Sequence, residues 1–200
     1  MTEKLKIMFL KNLEQNLKGY IFIAGVFAAG VILSCVLNIS AGSEEEIKLY
    51  IADFISNIKN YSTDSLKTFS IAINGHIRFI SIIFLMSITV IGNIGIYLYV
   101  FLKGFSYGAV LIALFNMMGI KTILFFFCAI FPHLVILLPC FSAYMQFCIK
   151  NSQLIFKSTK NIKTSVLMPF LSGIICIMLA SVAALIQAYL EPLLIRLINI

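Results

Sequence analysis

Long apolar runs without charged residues follow one another along the chain, separated by short polar stretches. They cover residues 19–43, 79–102, 104–120, 122–149 and roughly 165–190. A helix of about 20 apolar residues spans the hydrocarbon core of a bilayer, which is roughly 30 Å thick. The pattern therefore predicts an all-α protein, a polytopic transmembrane helical bundle of five spans that forms a single integral membrane domain over residues 1–200.

Amphipathic segments flank the first run and predict interfacial helices. Residues 1–18 are basic, and their apolar positions recur at helical spacing, as in a helix that lies on a membrane surface. In the loop over 43–78, Ser43 and Glu46 fit a capping box. A helix over 44–60 is predicted, with an apolar face formed by Ile47, Tyr50, Ile51, Phe54, Ile55 and Ile58. This loop is either a partner-facing surface or a solvated connector.

The rest of that loop is predicted to return the chain to the membrane. A weaker helical pattern covers Thr63 to Ile73, and Asn74-Gly75 is a turn signal. The second span then follows at 79–102. Lys103, a single charge between two apolar runs, predicts the turn between the second and third spans.

The run over 122–149 is the predicted centre of the bundle. An unbroken helix of this length would reach about 42 Å, and Pro132 and Pro139 each remove a backbone donor and bend it. His133 lies between the two prolines, the one ionisable side chain predicted deep in a span, with no Asp or Glu expected beside it. We expect a broken, buried helix, in which His133 has either a structural role or a catalytic or transport role.

Small and amide residues mark further candidate contacts between helices. Asn93 is predicted to make an interhelical hydrogen bond, and Gly104 with Gly108 forms a GxxxG motif that favours close helix packing. Glu191-Pro192 is predicted to end the last span. The first run has small residues four apart, at Gly25 with Ala29 and at Ala24 with Ala28. These pairs either allow a neighbouring helix to approach closely or face lipid.

Composition and charge agree with a membrane protein. The chain is 61% hydrophobic and 12% charged, whereas soluble domains are about 25% charged. The net charge of +7 does not indicate a nucleic-acid partner, because the basic residues sort across the predicted membrane. A cytoplasmic amino terminus and an outer carboxyl terminus place nine basic residues inside against six outside. The inner set includes the basic loop at 150–163 and consists of Lys4, Lys6, Lys11, Lys18, Lys103, Lys150, Lys157, Lys160 and Lys163. The outer set consists of Lys48, Lys59, Lys67, Arg78, Lys121 and Arg196.

The sequence offers no recognisable catalytic or metal-binding set. None of the five cysteines shows CxxC spacing, and motifs such as HExxH or GxSxG are absent. We therefore predict no enzyme activity and no cofactor or metal. The alternative is a permease-like or channel subunit that uses the broken helix around Pro132-His133; at this length it would need to be a homo-oligomer.

Three segments resemble one known family. The segment from Phe131 to Pro139, with Pro132-His133 near its start and Leu138-Pro139 at its end, is similar to the hallmark of the stage II sporulation protein M family. Asn93 with the glycine-rich stretch 101–108 resembles a second family feature. The segment 184–192, which ends in Glu191-Pro192, resembles the family's carboxyl-terminal signature.

The resemblance implies a function. Members of the family are membrane proteins of endospore formers, required for engulfment of the forespore. They localise and assemble two peptidoglycan-remodelling enzymes, stage II sporulation proteins D and P, at the septal membrane. Leu134 stands where the family often has Gly, and Leu137 and Gln187 stand where broader members often have Glu. Fewer membrane charges suit a non-enzymatic scaffold, whose partners would be lipid and these two enzymes.

Overall fold

The computed structural model describes residues 2–37, 64–156 and 162–197, together with positions 49, 53 and 56. Every regular element in these ranges is helical. In chain order they are α1 (Thr2–Leu37), α2 (Ser65–Ser87), α3 (Gly92–Met118), α4 (Lys121–Ala129), α5 (Phe131–Phe156), α6 (Ile162–Leu185), a π-helical turn (Ile186–Leu190) and α7 (Glu191–Leu197).

Five helical segments in the described residues are long and apolar enough to cross a membrane. They are Leu17–Leu37, Ser65–Ser87, Gly92–Met118, Phe131–Phe156 and Ser165–Ile195. The all-α fold with five spans is therefore confirmed. Successive spans run in opposite directions, so the bundle has an amino-terminal end, with the α2–α3 turn and the α5–α6 connection, and an opposite end, with α4, the start of α5 and α7.

The second and third spans were predicted too far along the chain. α2 begins at Ser65, because the Asp64 side chain accepts hydrogen bonds from the backbone N–H groups of Leu66 and Lys67 at 3.0 and 3.2 Å. It therefore contains the predicted turn at Asn74-Gly75, and the predicted loop 43–78 shortens to the segment 38–64 between two spans. Asparagine and glycine are tolerated inside membrane helices, which explains the wrong prediction.

The chain reverses at 88–91, not at Lys103. Gly92 permits this turn, because a Cβ there would overlap the carbonyl oxygen of Met86. The predicted spans 79–102 and 104–120 are therefore both wrong, and the third span is Gly92–Met118. Lys103 lies inside α3, with its Nζ 5.8 Å from the centre of the Tyr99 ring.

One other boundary differs from prediction, and one predicted element is not tested. α1 is continuous from Thr2 to Leu37, so residue 18 is not a helix end. The predicted apolar face of the 44–60 helix lies outside the described residues, although the three described positions in that segment, Leu49, Asp53 and Ser56, are helical.

The run at 122–149 divides before its prolines. α4 ends at Ala129, and α5 begins at Phe131 and continues through Pro139 to Phe156. Pro132 therefore occupies the first turn of α5, where a missing backbone N–H is tolerated. The predicted break is present, but at Ile130, and the fourth span is Phe131–Phe156.

Helices α1 and α3 run parallel, with glycines at their contact. A Cβ at Gly30 would overlap the backbone oxygen of Phe101, and a Cβ at Gly104 would overlap that of Phe27. At these points the helix backbones are so close that only glycine fits.

The same interface continues one turn further along both helices. A Cβ at Gly108 would lie 2.8 Å from the Cβ of Ser34, which is fully buried. Gly104 and Gly108 thus both face α1. The small pairs predicted in the first run lie elsewhere, since Gly25 has open space around it and Ala29 is exposed.

Asn151 and Ser152, two polar residues near the end of α5, tie the amino-terminal end of the bundle together. The buried Asn151 side chain donates hydrogen bonds to the backbone oxygens of Ser87 and Ser165 at 3.0 and 2.9 Å. Ser152 donates to the backbone oxygen of Thr89 at 2.7 Å. Its hydroxyl also accepts from the backbone N–H of Asn93 at 3.2 Å, so Asn93 makes an interhelical contact through its backbone.

Candidate functional site

His133 and Glu191 form a buried pair at the opposite end of the bundle. His133 Nδ1 lies 2.5 Å from Glu191 Oε1, and the side chains are only 8% and 6% exposed. Two hydrogen-bond acceptors repel each other at this distance, so a proton must lie between the nitrogen and the oxygen. The prediction that no acidic residue accompanies His133 is wrong.

The α4–α5 break sets the position of His133. It is the third residue of α5, so it lies near one end of a span. The prediction that it lies deep in a span is therefore wrong. Thr122 Oγ1 donates to the backbone oxygen of Leu114 at 2.9 Å and holds the start of α4 against the last turns of α3. The chain then turns at Ile130 and brings His133 into the bundle.

The π-helical turn sets the position of Glu191. The backbone N–H of Glu191 bonds to the oxygen of Ile186, five residues earlier. Such a turn adds one residue to the helix and rotates all later residues by about 100° around its axis. Pro192 comes directly after Glu191 and lacks an N–H, so the Ala188 carbonyl cannot receive its usual bond. The prediction that Glu191-Pro192 ends the last span is wrong, because the span continues to Ile195 and both residues are buried.

A cavity of about 260 Å³ borders the pair. Besides His133 and Glu191, its polar lining consists of Thr68, Tyr107 and Gln187. The apolar wall is formed by Phe125, Ala129, Ile130, Pro192 and Ile195. Five helices and the π turn thus contribute side chains to one small chamber with mixed polar and apolar walls, as is usual for ligand sites.

More ionisable groups lie in the spans than predicted, although the others do not line the cavity. His76 and Arg78 are on α2, and Lys103 is on α3. His76 is half-buried, with its ring centre 5.7 Å from that of Phe141, and it lies within electrostatic range of His133 and Lys103. The cavity lining itself holds one carboxylate and one imidazole, and no Lys or Arg.

The structure brings together only some of the predicted site residues. Pro132, His133, Glu191 and Pro192 lie around the cavity end, whereas Pro139 is an exposed residue within α5. Asn93, Gly104 and Gly108 serve helix contacts instead. In the described residues, no group of three or more His, Cys, Asp or Glu could hold a metal ion.

Sequence reasoning missed Thr68, Tyr107, Phe125 and Gln187 as site residues. Two of them had a usable signal. Tyr107 lies in the stretch 101–108 and Gln187 in the stretch 184–192, both of which carried the family resemblance. Together with 131–139, these three segments contribute Tyr107, His133, Gln187, Glu191 and Pro192 to the same cavity. The other two missed residues, Thr68 and Phe125, stood in segments assigned to a loop and to a longer helix.

Comparison with known proteins gives one match. No curated protein and no solved structure matches the chain. The family model of stage II sporulation protein M matches residues 21–192, which include the His133–Glu191 pair and nearly all of the five spans. A multi-pass membrane protein is the class that these spans indicate. Because the match covers most of the chain, this protein belongs to the stage II sporulation protein M family, and its membership supports a role in sporulation.

Proposed function

We propose that this protein is a non-enzymatic membrane scaffold required for forespore engulfment during endospore formation. In this proposal it localises and assembles peptidoglycan-remodelling enzymes, stage II sporulation proteins D and P, at the septal membrane. The observation that carries the proposal is the family match over residues 21–192. Tight packing of α1 on α3 at Gly30 and Gly104 supports it, because a scaffold needs a fixed arrangement of helices.

The charge distribution around the observed spans supports a cytoplasmic amino terminus. Outside the five spans, six basic residues fall on the amino-terminal side and four on the opposite side. The residues on the amino-terminal side are Lys4, Lys6, Lys11, Lys157, Lys160 and Lys163. Those on the opposite side are Lys48, Lys59, Lys121 and Arg196. By the positive-inside rule the segment 38–64 and the cavity end then face outwards, where wall enzymes act.

The partner-facing role of the segment 38–64 can be tested by co-purification. Replacing the apolar set Ile47, Tyr50, Phe54 and Ile58 with serine should abolish co-purification with stage II sporulation proteins D and P, since an apolar face supplies most of the contact area. The matched control carries Asp53→Asn and Ser56→Ala on the polar face and should behave as wild type. Undiminished co-purification of the correctly inserted serine variant would refute the docking role.

A second candidate function is a permease-like or channel subunit. The buried His133–Glu191 pair beside a cavity favours it, because ionisable groups inside membrane proteins often mark transport pathways. His133→Gln keeps hydrogen bonding but removes titration. A solute flux that loses its pH dependence in this variant would support transport; engulfment that proceeds normally in the same variant would leave the scaffold as the main function.

A further inference from the structure

We propose that the cavity beside His133 and Glu191 is a binding site for a primary ammonium group on a short apolar stem. The inference concerns this chamber alone and does not rest on the scaffold role. It is argued from the hydrogen-bonding state of the pair, from the charge of the lining and from the shape of the apolar wall.

The pair fixes which atoms can accept a hydrogen bond from a ligand. In this proposal His133 is the neutral tautomer that carries the shared proton on Nδ1, which leaves Nε2 as an acceptor. The Glu191 carboxylate accepts that proton with one oxygen and keeps further lone pairs. Both residues therefore offer acceptors to the cavity.

The other polar groups of the lining add to this bias. The Thr68 hydroxyl donates its proton to the backbone oxygen of Asp64 at 3.0 Å, so only its lone pairs remain for a ligand. Gln187 supplies an amide oxygen beside its NH₂ donors, and the Tyr107 hydroxyl can accept or donate. An ammonium group has three donors and no acceptor, which matches a set of acceptors drawn from Glu191, His133, Thr68 and Gln187.

The charge of the cavity lining also favours an ammonium group. Glu191 carries the only formal charge of the lining when His133 is neutral, and no Lys or Arg of the described chain lines the cavity. A buried carboxylate is costly without a cationic partner, and a charge-assisted hydrogen bond to an ammonium group offsets that cost. The described cations of the neighbouring helices also lie outside the lining: Lys67 and Lys121 at the cavity end of the bundle, and Arg78 and Lys103 further along α2 and α3. His76 lies outside it as well.

Size and shape define the rest of the ligand. The cavity of about 260 Å³ is continuous with a wall of Phe125, Ala129, Ile130, Pro192 and Ile195. This wall fits an alkyl stem of a few carbons, and the rings of Tyr107 and Phe125 favour a nearby cation. Two sources carry this chemistry: a free small amine, or the lysine side chain of a protein partner.

Calorimetry on the full chain in lipid nanodiscs tests the proposal, with n-butylammonium chloride as the probe and n-butanol as its neutral counterpart. Empty nanodiscs give the lipid background. Wild type should bind n-butylammonium about tenfold or more tightly than n-butanol. In Glu191→Gln the affinity for n-butylammonium should fall by about tenfold, while n-butanol binds as before and shows that the cavity is intact. Equal affinities for both probes in wild type would overturn the proposal, as would unchanged n-butylammonium binding in Glu191→Gln.

A second variant makes the test independent of how well Glu191→Gln folds. Ala129→Leu fills the apolar part of the chamber and leaves the carboxylate in place, so it should weaken both probes. Saturable n-butylammonium binding that Ala129→Leu leaves unchanged would place the amine elsewhere and refute the site. Nα-acetyl-L-lysine methylamide then separates the sources: binding as tight as n-butylammonium indicates a partner's lysine, and exclusion of this larger probe indicates a free amine.

Discussion

His133 and Glu191 are 58 residues apart in the chain, and their side chains meet at 2.5 Å inside the helix bundle. One lies at the start of α5 and the other directly after a π-helical turn. Their contact depends on two helix irregularities at once, the break at Ile130 and the π turn, and it joins the fourth and fifth spans at the cavity end.

Glu191→Ala should destabilise the protein strongly, because it leaves a buried imidazole without its partner. We expect the free energy of unfolding to fall by about 1–3 kcal/mol, the usual cost of leaving a buried donor without an acceptor. Glu191→Gln retains a hydrogen-bond acceptor of similar size and should cost less. Reversible unfolding in mixed micelles measures both; equal losses for the two variants would mean that the carboxylate charge stabilises the pair, and that side-chain volume and a neutral acceptor do not.

Gly104→Ala should separate α1 from α3. The added methyl group would overlap the backbone oxygen of Phe27, and backbone cannot move aside as a flexible side chain can. Overpacking of this kind typically costs about 1–3 kcal/mol. Gly25→Ala is the matched control, since Gly25 has open space around it and alanine is the better helix former. Equal stabilities of these two variants would contradict the close packing at Gly104.

Asn151→Ala should loosen the amino-terminal end of the bundle. The change removes the donors to the backbone oxygens of Ser87 and Ser165, and unsatisfied buried groups cost about 1–3 kcal/mol. Amide hydrogen exchange should therefore become faster at the α2–α3 turn and at the start of α6. Asn74→Ala, at an exposed position of α2, serves as the control and should leave exchange at both places as in wild type.

Cys140 and Cys176 should cross-link selectively on mild oxidation. Their sulfur atoms, on α5 and α6, are 3.1 Å apart. Copper phenanthroline followed by maleimide labelling should show two fewer reactive thiols than the reduced protein. The variant Cys140→Ser should lose this protection, whereas Cys128→Ser should keep it. Protection that persists in Cys140→Ser would show that another pair of thiols forms the cross-link and would refute this prediction.

The orientation can be measured with single cysteines in a background without the native five. Lys160→Cys lies between the fourth and fifth spans and should react with an impermeant maleimide only after permeabilisation. Lys121→Cys, an exposed position at the start of α4, should react in intact cells. The reverse pattern would show that the protein has the opposite orientation, with the segment 38–64 in the cytoplasm.

The number of spans could be predicted from the sequence, because any membrane helix requires a long, predominantly apolar stretch. Their limits could not, because charged or turn-forming residues were taken as helix ends. Lys103 remains inside α3 with its ammonium group over the ring of Tyr99, and Asn74-Gly75 faces outwards from an unbroken α2. Conversely, the tight turn at 88–91 contains no charge at all, and only its packing of Gly92 against Met86 reveals it.

The candidate site was only partly predictable for a related reason. His133, Glu191 and Pro192 were singled out by residue type, but their meeting depends on a π turn that no pattern of apolar residues indicates. Gln187 was noted only as a departure from the family pattern, and it proves to line the cavity.

During synthesis, the first span enters the bilayer well before the helix it packs against has been made. On α1, Phe22 contacts Tyr97 and Gly30 contacts the backbone near Phe101. The first span therefore packs on α3 and not on α2, the next span along the chain. α1 must therefore wait in lipid until about 70 further residues have left the ribosome. Assembly of this bundle therefore begins with the insertion of a helix whose packing partner does not yet exist.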